Sequence, residues 1–197
     1  MDPVQGYSFG TLITTAPTGE PVATHLPFAF FPERGEYGSF FSHIASDSPQ
    51  VRRFAPLCTD APLALITFLG PHSYISPRWY GAGQRATPTW NYMAVHVYGR
   101  PTVIDDPQEV RSMLGRAVAQ YEAEMAVPWS LDSQSDDYLG ERMELMTAFE
   151  VPVQRIATKA RLGRKQQTEL NQELADWLEV QPDMMRRELA RLIRGAI

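Results

Sequence analysis

From Thr89 to Tyr98 the chain reads TWNYMAVHVY, and this alternation suits an extended strand. Successive side chains of a strand point to opposite faces, so Trp90, Tyr92, Ala94, His96 and Tyr98 share one side. Thr89, Asn91, Met93, Val95 and Val97 share the other. A strand face made of indole, phenol and imidazole is either core packing, the commoner case, or the wall of a site for a flat ligand. The segment just before it, SYISPRWY (73–80), favours a site. Ser76 and Arg78 sit beside Trp79 and Tyr80 and combine hydroxyl and guanidinium donors with stacking surfaces. Those are the groups an anionic, planar cofactor needs. Pro77 and Pro88 punctuate the run, since proline fixes its own φ and pushes its predecessor toward extended backbone.

Strand patterns surround this stretch. FGTLITTA (9–16), the turn Pro17-Thr18-Gly19 and EPVATHLPF (20–28) read as a hairpin. Val22, Thr24, Leu26 and Phe28 lie on one face of its second arm. EYGSFFSH (36–43) is a further strand, followed by a capped turn or short helix at IASDSPQVRRF whose backbone N–H groups are a candidate anion site near His43. PLALITFL (62–69) reads as a buried strand, 81–85 as a loop and 101–104 as a short strand. The periodicity then changes. Asp106-Pro107-Gln108-Glu109 is a capping-box arrangement, and Val110, Leu114, Ala117, Val118, Tyr121 and Met125 predict an amphipathic helix over 107–126. A second helix is expected at about 136–147, with Leu139, Met143 and Met146 on its face. FEVPVQRI (149–156) returns to strand, with Pro152 suggesting an edge or a bulge. Two helices follow, one from Thr168 carrying Leu170, Leu174, Trp177 and Leu178, the other from Pro182 carrying Met185, Leu189, Leu192 and Ile193. The sum is a mainly β fold with helices.

At 197 residues the chain can hold one domain with a real core. Its net charge of −5 argues against coating nucleic acid through overall positive charge. The charge is uneven, however, because nine Lys/Arg stand against six Asp/Glu from Arg155 onward. Arg186, Arg187, Arg191 and Arg194 on the last helix could imitate a DNA-reading motif, although Glu169, Glu173, Asp176 and Glu179 weaken it. Cys58 is the one cysteine, which leaves no disulfide framework and no cysteine metal site and fits a reducing cytoplasm. No run of about twenty apolar residues suggests a membrane span or a signal.

Taken together, THLPF (24–28), FFSHIASDSP (40–49), GPHSYISPRWY (70–80), TPTWNYMAVHVYG (87–99) and FEVPVQRIATKARL (149–162) resemble the PaiB-like family of FMN-binding negative transcriptional regulators. The most specific elements are Tyr74–Tyr80 and Pro88–Gly99. The resemblance implies an FMN-binding split β-barrel over residues 1–165, with inserted helices at about 107–147. A helical extension over 166–197 would pack on the same domain. It also implies a homodimer with flavin at the subunit interface. Ser42 and His43, with Ser76, Arg78 and Lys159, are then the candidates for the phosphate. Trp79, Trp90 and Tyr92 are stacking surfaces, and Thr89 and Asn91 are hydrogen-bonding groups for the ring edge. Two positions depart from the family pattern: Ser46 stands where an Arg is usual, and Ser48 where an Asn is usual. A serine keeps a hydrogen bond but gives up a charge-assisted one, a difference of about 1.5–3 kcal/mol. The KLSQN-like signature is matched only at Lys159, Arg161 and Leu162.

No nucleophile–base pair stands out. If the protein is an enzyme, it is expected to be a flavin-dependent oxidoreductase. Haem binding is the other alternative, with His25, His43, His72 and His96 as possible axial ligands.

Overall fold

The computed structural model describes residues 7–16, 18–54, 63–80, 86–163 and 167–196. Among these residues eight strands form one sheet: β1 (Phe9–Thr15), β2 (Pro21–Pro27), β3 (Ala29–Phe31), β4 (Ser39–Ala45), β5 (Ala64–Ile75), β6 (Thr89–Gly99), β7 (Thr102–Val103) and β8 (Met146–Arg161). Their order is β2-β1-β5-β6-β8-β4-β3, with β7 also paired to β8. Among the described residues there are four α-helices, α1 (Pro107–Glu122), α2 (Asp136–Glu144), α3 (Thr168–Glu179) and α4 (Met184–Gly195). The chain divides into two compact units, Met1–Phe68 with Val97–Ile156, and Leu69–His96 with Ala157–Ile197.

In the first unit the expected hairpin forms in register, with Phe9 opposite Pro27 and Thr15 opposite Pro21. A short strand, β3, follows it at once and pairs with β4, Ala29 opposite Phe41. Phe28, Phe31, Phe40, Phe41, Phe68 and Phe149 are all at most 2% exposed, and their rings meet largely edge to face. Each buried ring contributes about 1.5–3 kcal/mol of burial free energy. α1 lays Val110, Met113, Leu114 and Ala117 against Phe31, Phe41 and Ala148.

Asp106 caps α1 as its position predicts, its Oδ1 accepting from Gln108 N at 2.9 Å. Glu109, however, reaches outward instead of back to the cap. It shares Arg34 with Glu150, at 2.7 and 2.8 Å, tying the turn after β3 to α1 and β8. Both carboxylates hold the Arg34 pKa above its ordinary value, the Glu150 hydrogen bond most of all.

α1 stops at Glu122, short of Met125, which is left 55% exposed. Met146, expected on the face of α2, instead opens β8 opposite Ala45. Pro152 is not on an edge strand: β8 lies between β6 and β4. It is tolerated opposite Ser39, the last pair of the β4 ladder, where a missing N–H interrupts little. Gly99 is required by close approach, since a Cβ there would collide with the Pro152 carbonyl oxygen and Val151.

In the second unit α3 and α4 bury Leu174, Ala175, Leu178, Leu189, Ala190 and Ile193 against Ile75 and Tyr80. Asp183 caps α4 by accepting from Met185 N at 2.9 Å. No described helix is long and apolar enough to cross a membrane.

Candidate functional site

The two faces of β6 separate as the alternation requires. Asn91, Val95 and Val97 are buried, at 1%, 3% and 0% exposed, while Trp90 on the other face is 54% exposed. The ring-bearing side is therefore the open one.

Within the second unit the open side is a connected row of rings. Trp90 lies 6.1 Å from His72, nearly parallel, and 6.4 Å from Tyr74, edge-on. Tyr74 meets Trp79 edge-on at 6.1 Å, and Trp79 stacks on Trp177 of α3 at 3.8 Å and 15°. The Arg186 guanidinium also lies over Trp79, at 5.8 Å. One end of the row is thus closed by the helices. The other end, Trp90 and Tyr74, is open.

Trp79 stands on a single 3-10 turn, Pro77–Tyr80. Ser76 anchors that turn: its Oγ accepts from Arg78 N at 3.3 Å and its carbonyl from Trp79 N at 3.1 Å. Arg78 projects into solvent, as does Lys159 near the end of β8, and neither makes an ion pair among the described residues. Thr89 and Tyr92 are half-buried. Asn91 stands apart. Its side-chain nitrogen and oxygen are both buried and neither finds a hydrogen-bond partner among the described residues. Each such unmet group costs about 1–3 kcal/mol.

Ser42 and His43 belong to the first unit. The Ser42 hydroxyl donates to the Pro27 carbonyl at 2.7 Å and is 1% exposed. His43 lines an apolar cleft of about 250 Å3 with Phe41, Leu114 and Tyr121. Burial holds its pKa below the ordinary imidazole value, which leaves it uncharged at neutral pH. Burial likewise raises the Tyr121 phenol, opposed by its hydrogen bond with Ser8. Among the described residues between β4 and β5 there is one 3-10 turn, Val51–Arg53, without a side-chain cap. Ser46 and Ser48 have local duties: Ser46 Oγ donates to the Glu144 carbonyl at 3.3 Å, and Ser48 Oγ accepts from Gln50 N at 3.3 Å.

The structure therefore brings Trp79 and Trp90 into one ring row, with Asn91 on the opposite, buried face of β6. His72, Tyr74 and Trp177 are members of that row that the candidate set omits. The two-residue period used for β6 also puts His72 and Tyr74 on one face of β5, so the signal for them was present. Trp177 comes from a distant helix, and no local pattern announces it. The loop at 81–85 and Cys58 lie outside the described residues. Among the described residues no three metal-ligating side chains cluster.

Residues 1–155 match the family model described as "Putative FMN-binding domain". Over 194 residues the chain is 32% identical to "Protease synthase and sporulation protein PAI 2" of Bacillus subtilis, covering 98% of this chain and 89% of that protein. Two solved structures share the fold. The FAD and heme binding protein from Mycobacterium smegmatis superposes with a TM-score of 0.60 at 14% identity, covering 82% of this chain and 69% of that one. The flavocytochrome Anf3 from Azotobacter vinelandii gives 0.50 at 14% identity, covering 85% and 69%. The fold is a split β-barrel.

Proposed function

This chain belongs to the FMN-binding-domain family, and from that premise we propose that it is a homodimeric split-barrel protein that binds FMN. The observation that carries the reading is the open ring row at Trp90 and Tyr74, apolar surface left in water beside a fully closed core. The residues present fit the group. Trp90 and Tyr92 offer flat surface, and Arg78 and Lys159 offer cations with no ion-pair partner among the described residues. Thr89 and Asn91 point to the opposite face of β6, so they are not among the groups that would meet a flavin on the ring row. Ser42 and His43 belong to the first unit, where the Ser42 proton is already given to Pro27 and the His43 imidazole is neutral, and neither is assigned to the ring-row site. When bound, FMN would supply one- or two-electron transfer chemistry, and the protein's part is to bind and orient it.

A cytoplasmic role in negative control of transcription goes with the family resemblance. Direct DNA contact through α4 has little free charge behind it. Arg194 pairs with Asp176 and Glu179, Arg191 with Glu188 and Arg186 with Asp183. Arg187 alone of the four makes no ion pair among the described residues.

The test is the visible spectrum of the protein as purified, read with its mass in solution. Flavin bands, or quenching of added FMN fluorescence, together with a mass of twice 22.2 kDa, are expected. A spectrum without flavin bands and no response to FMN would remove the reading, and a Soret band in their place would move it to haem.

A further inference from the structure

A second concavity lies entirely within the first unit, between α1, α2 and the connection 123–135. It encloses about 420 Å3, within the range of small-molecule sites. Leu114, Leu131, Leu139 and Met143 make it apolar. Trp129 and Tyr138 stand beside them at 43% and 44% exposed.

The wall is preformed by short-range hydrogen bonds. Trp129 N donates to Glu122 Oε2 at 2.9 Å, and Ser130 Oγ accepts from Asp132 N at 3.2 Å. Ser135 Oγ caps α2 by accepting from Tyr138 N at 3.3 Å.

Charge selects the occupant. Two guanidiniums line the cleft and no carboxylate does. Arg111 is neutralised by Asp136 at 3.0 Å and Asp132 at 3.7 Å. Arg142 lies over the Tyr138 ring at 5.1 Å and makes no ion pair among the described residues. A neutral ligand would cover that guanidinium without pairing it, whereas an anion would pair it.

We propose that this cleft binds an amphipathic monocarboxylate, its hydrocarbon body on Leu114, Leu139 and Met143 and its carboxylate on Arg142. The site is separate from the flavin-binding reading and does not depend on it.

The experiment is calorimetric titration of the full chain with 2-naphthoate, and with neutral 2-naphthylmethanol as its uncharged counterpart. One saturable site per chain is expected for the carboxylate. Affinity should fall about tenfold for the alcohol and for Arg142→Gln, the loss expected of one charge-assisted contact. Arg142→Lys should restore part of it. Gln134→Trp, which fills the cleft from its rim, should abolish binding, and Trp90→Ala should leave it unchanged. Each variant's fold is checked by circular dichroism. No saturable binding of 2-naphthoate overturns the proposal. So does equal affinity for acid and alcohol, indifference to Arg142→Gln or Gln134→Trp in a folded variant, or loss of binding in Trp90→Ala.

Discussion

The buried Phe cluster of the first unit and the ring row of the second are used in opposite ways. Phe28, Phe31, Phe40, Phe41, Phe68 and Phe149 have no polar atom to satisfy, and they close completely on one another. His72, Tyr74, Trp79, Trp90 and Trp177 each carry an N–H or O–H, and their row closes at one end only, where Trp177 covers Trp79. A polar tip makes full burial expensive unless a partner is found, so a Trp or Tyr row can stay open where a Phe cluster cannot. The Phe cluster is therefore structure, whereas the open end of the Trp and Tyr row is surface available for recognition.

The sharpest break of that comparison is Phe40→Ala against Trp90→Ala. Phe40 is fully buried, 5.4 Å from Phe68 and 4.9 Å from Phe30, so its truncation should cost about 3–5 kcal/mol in urea denaturation. Trp90→Ala should stay within about 0.5 kcal/mol of the parent, as surface changes do. Equal losses would erase the distinction.

Next is Asn91→Leu. Removing two unmet polar atoms should raise the stability of the flavin-free protein by about 1–3 kcal/mol and, because Asn91 lies on the face of β6 away from Trp90, leave FMN binding unchanged. Loss of stability without ligand would show that the amide has a partner in the protein itself. Gly99→Ala sharpens the structural side, because the new methyl meets backbone at Pro152; about 1–3 kcal/mol should be lost in the same assay.

The smallest effect is a pH dependence at His43. Its folded pKa lies below the ordinary 6.5 because of burial, so the unfolded chain binds more protons as pH falls below that value. Stability should be complete above about pH 6.5 and decline on acidification toward the folded pKa. His43→Phe should flatten the denaturation midpoint between pH 7 and 5; an unchanged slope would contradict it.

Local patterns carried much of the fold. The alternation from Thr89 gave both faces of β6, and Asp106 and the apolar spacing after it marked α1. Endings were harder to read. Met125 fits helical spacing, yet α1 stops at Glu122, and Met146 fits it too but is drawn into the β4 ladder. The apolar strand pattern ends at Ile156, whereas β8 continues through 157–161. Strand hydrogen bonding uses the backbone and does not require apolar side chains. At the candidate site, rings on a shared strand face were legible and the Trp79–Trp177 stack was not, since it joins segments nearly a hundred residues apart.

FMN titration of the parent and of Trp90→Ala, followed by flavin fluorescence, tests the central claim most directly. The open ring row predicts saturable quenching by the parent and at least a tenfold weaker affinity in the variant, the loss of about 1.4 kcal/mol of stacking. Equal affinity in both, or no quenching by either, would contradict it.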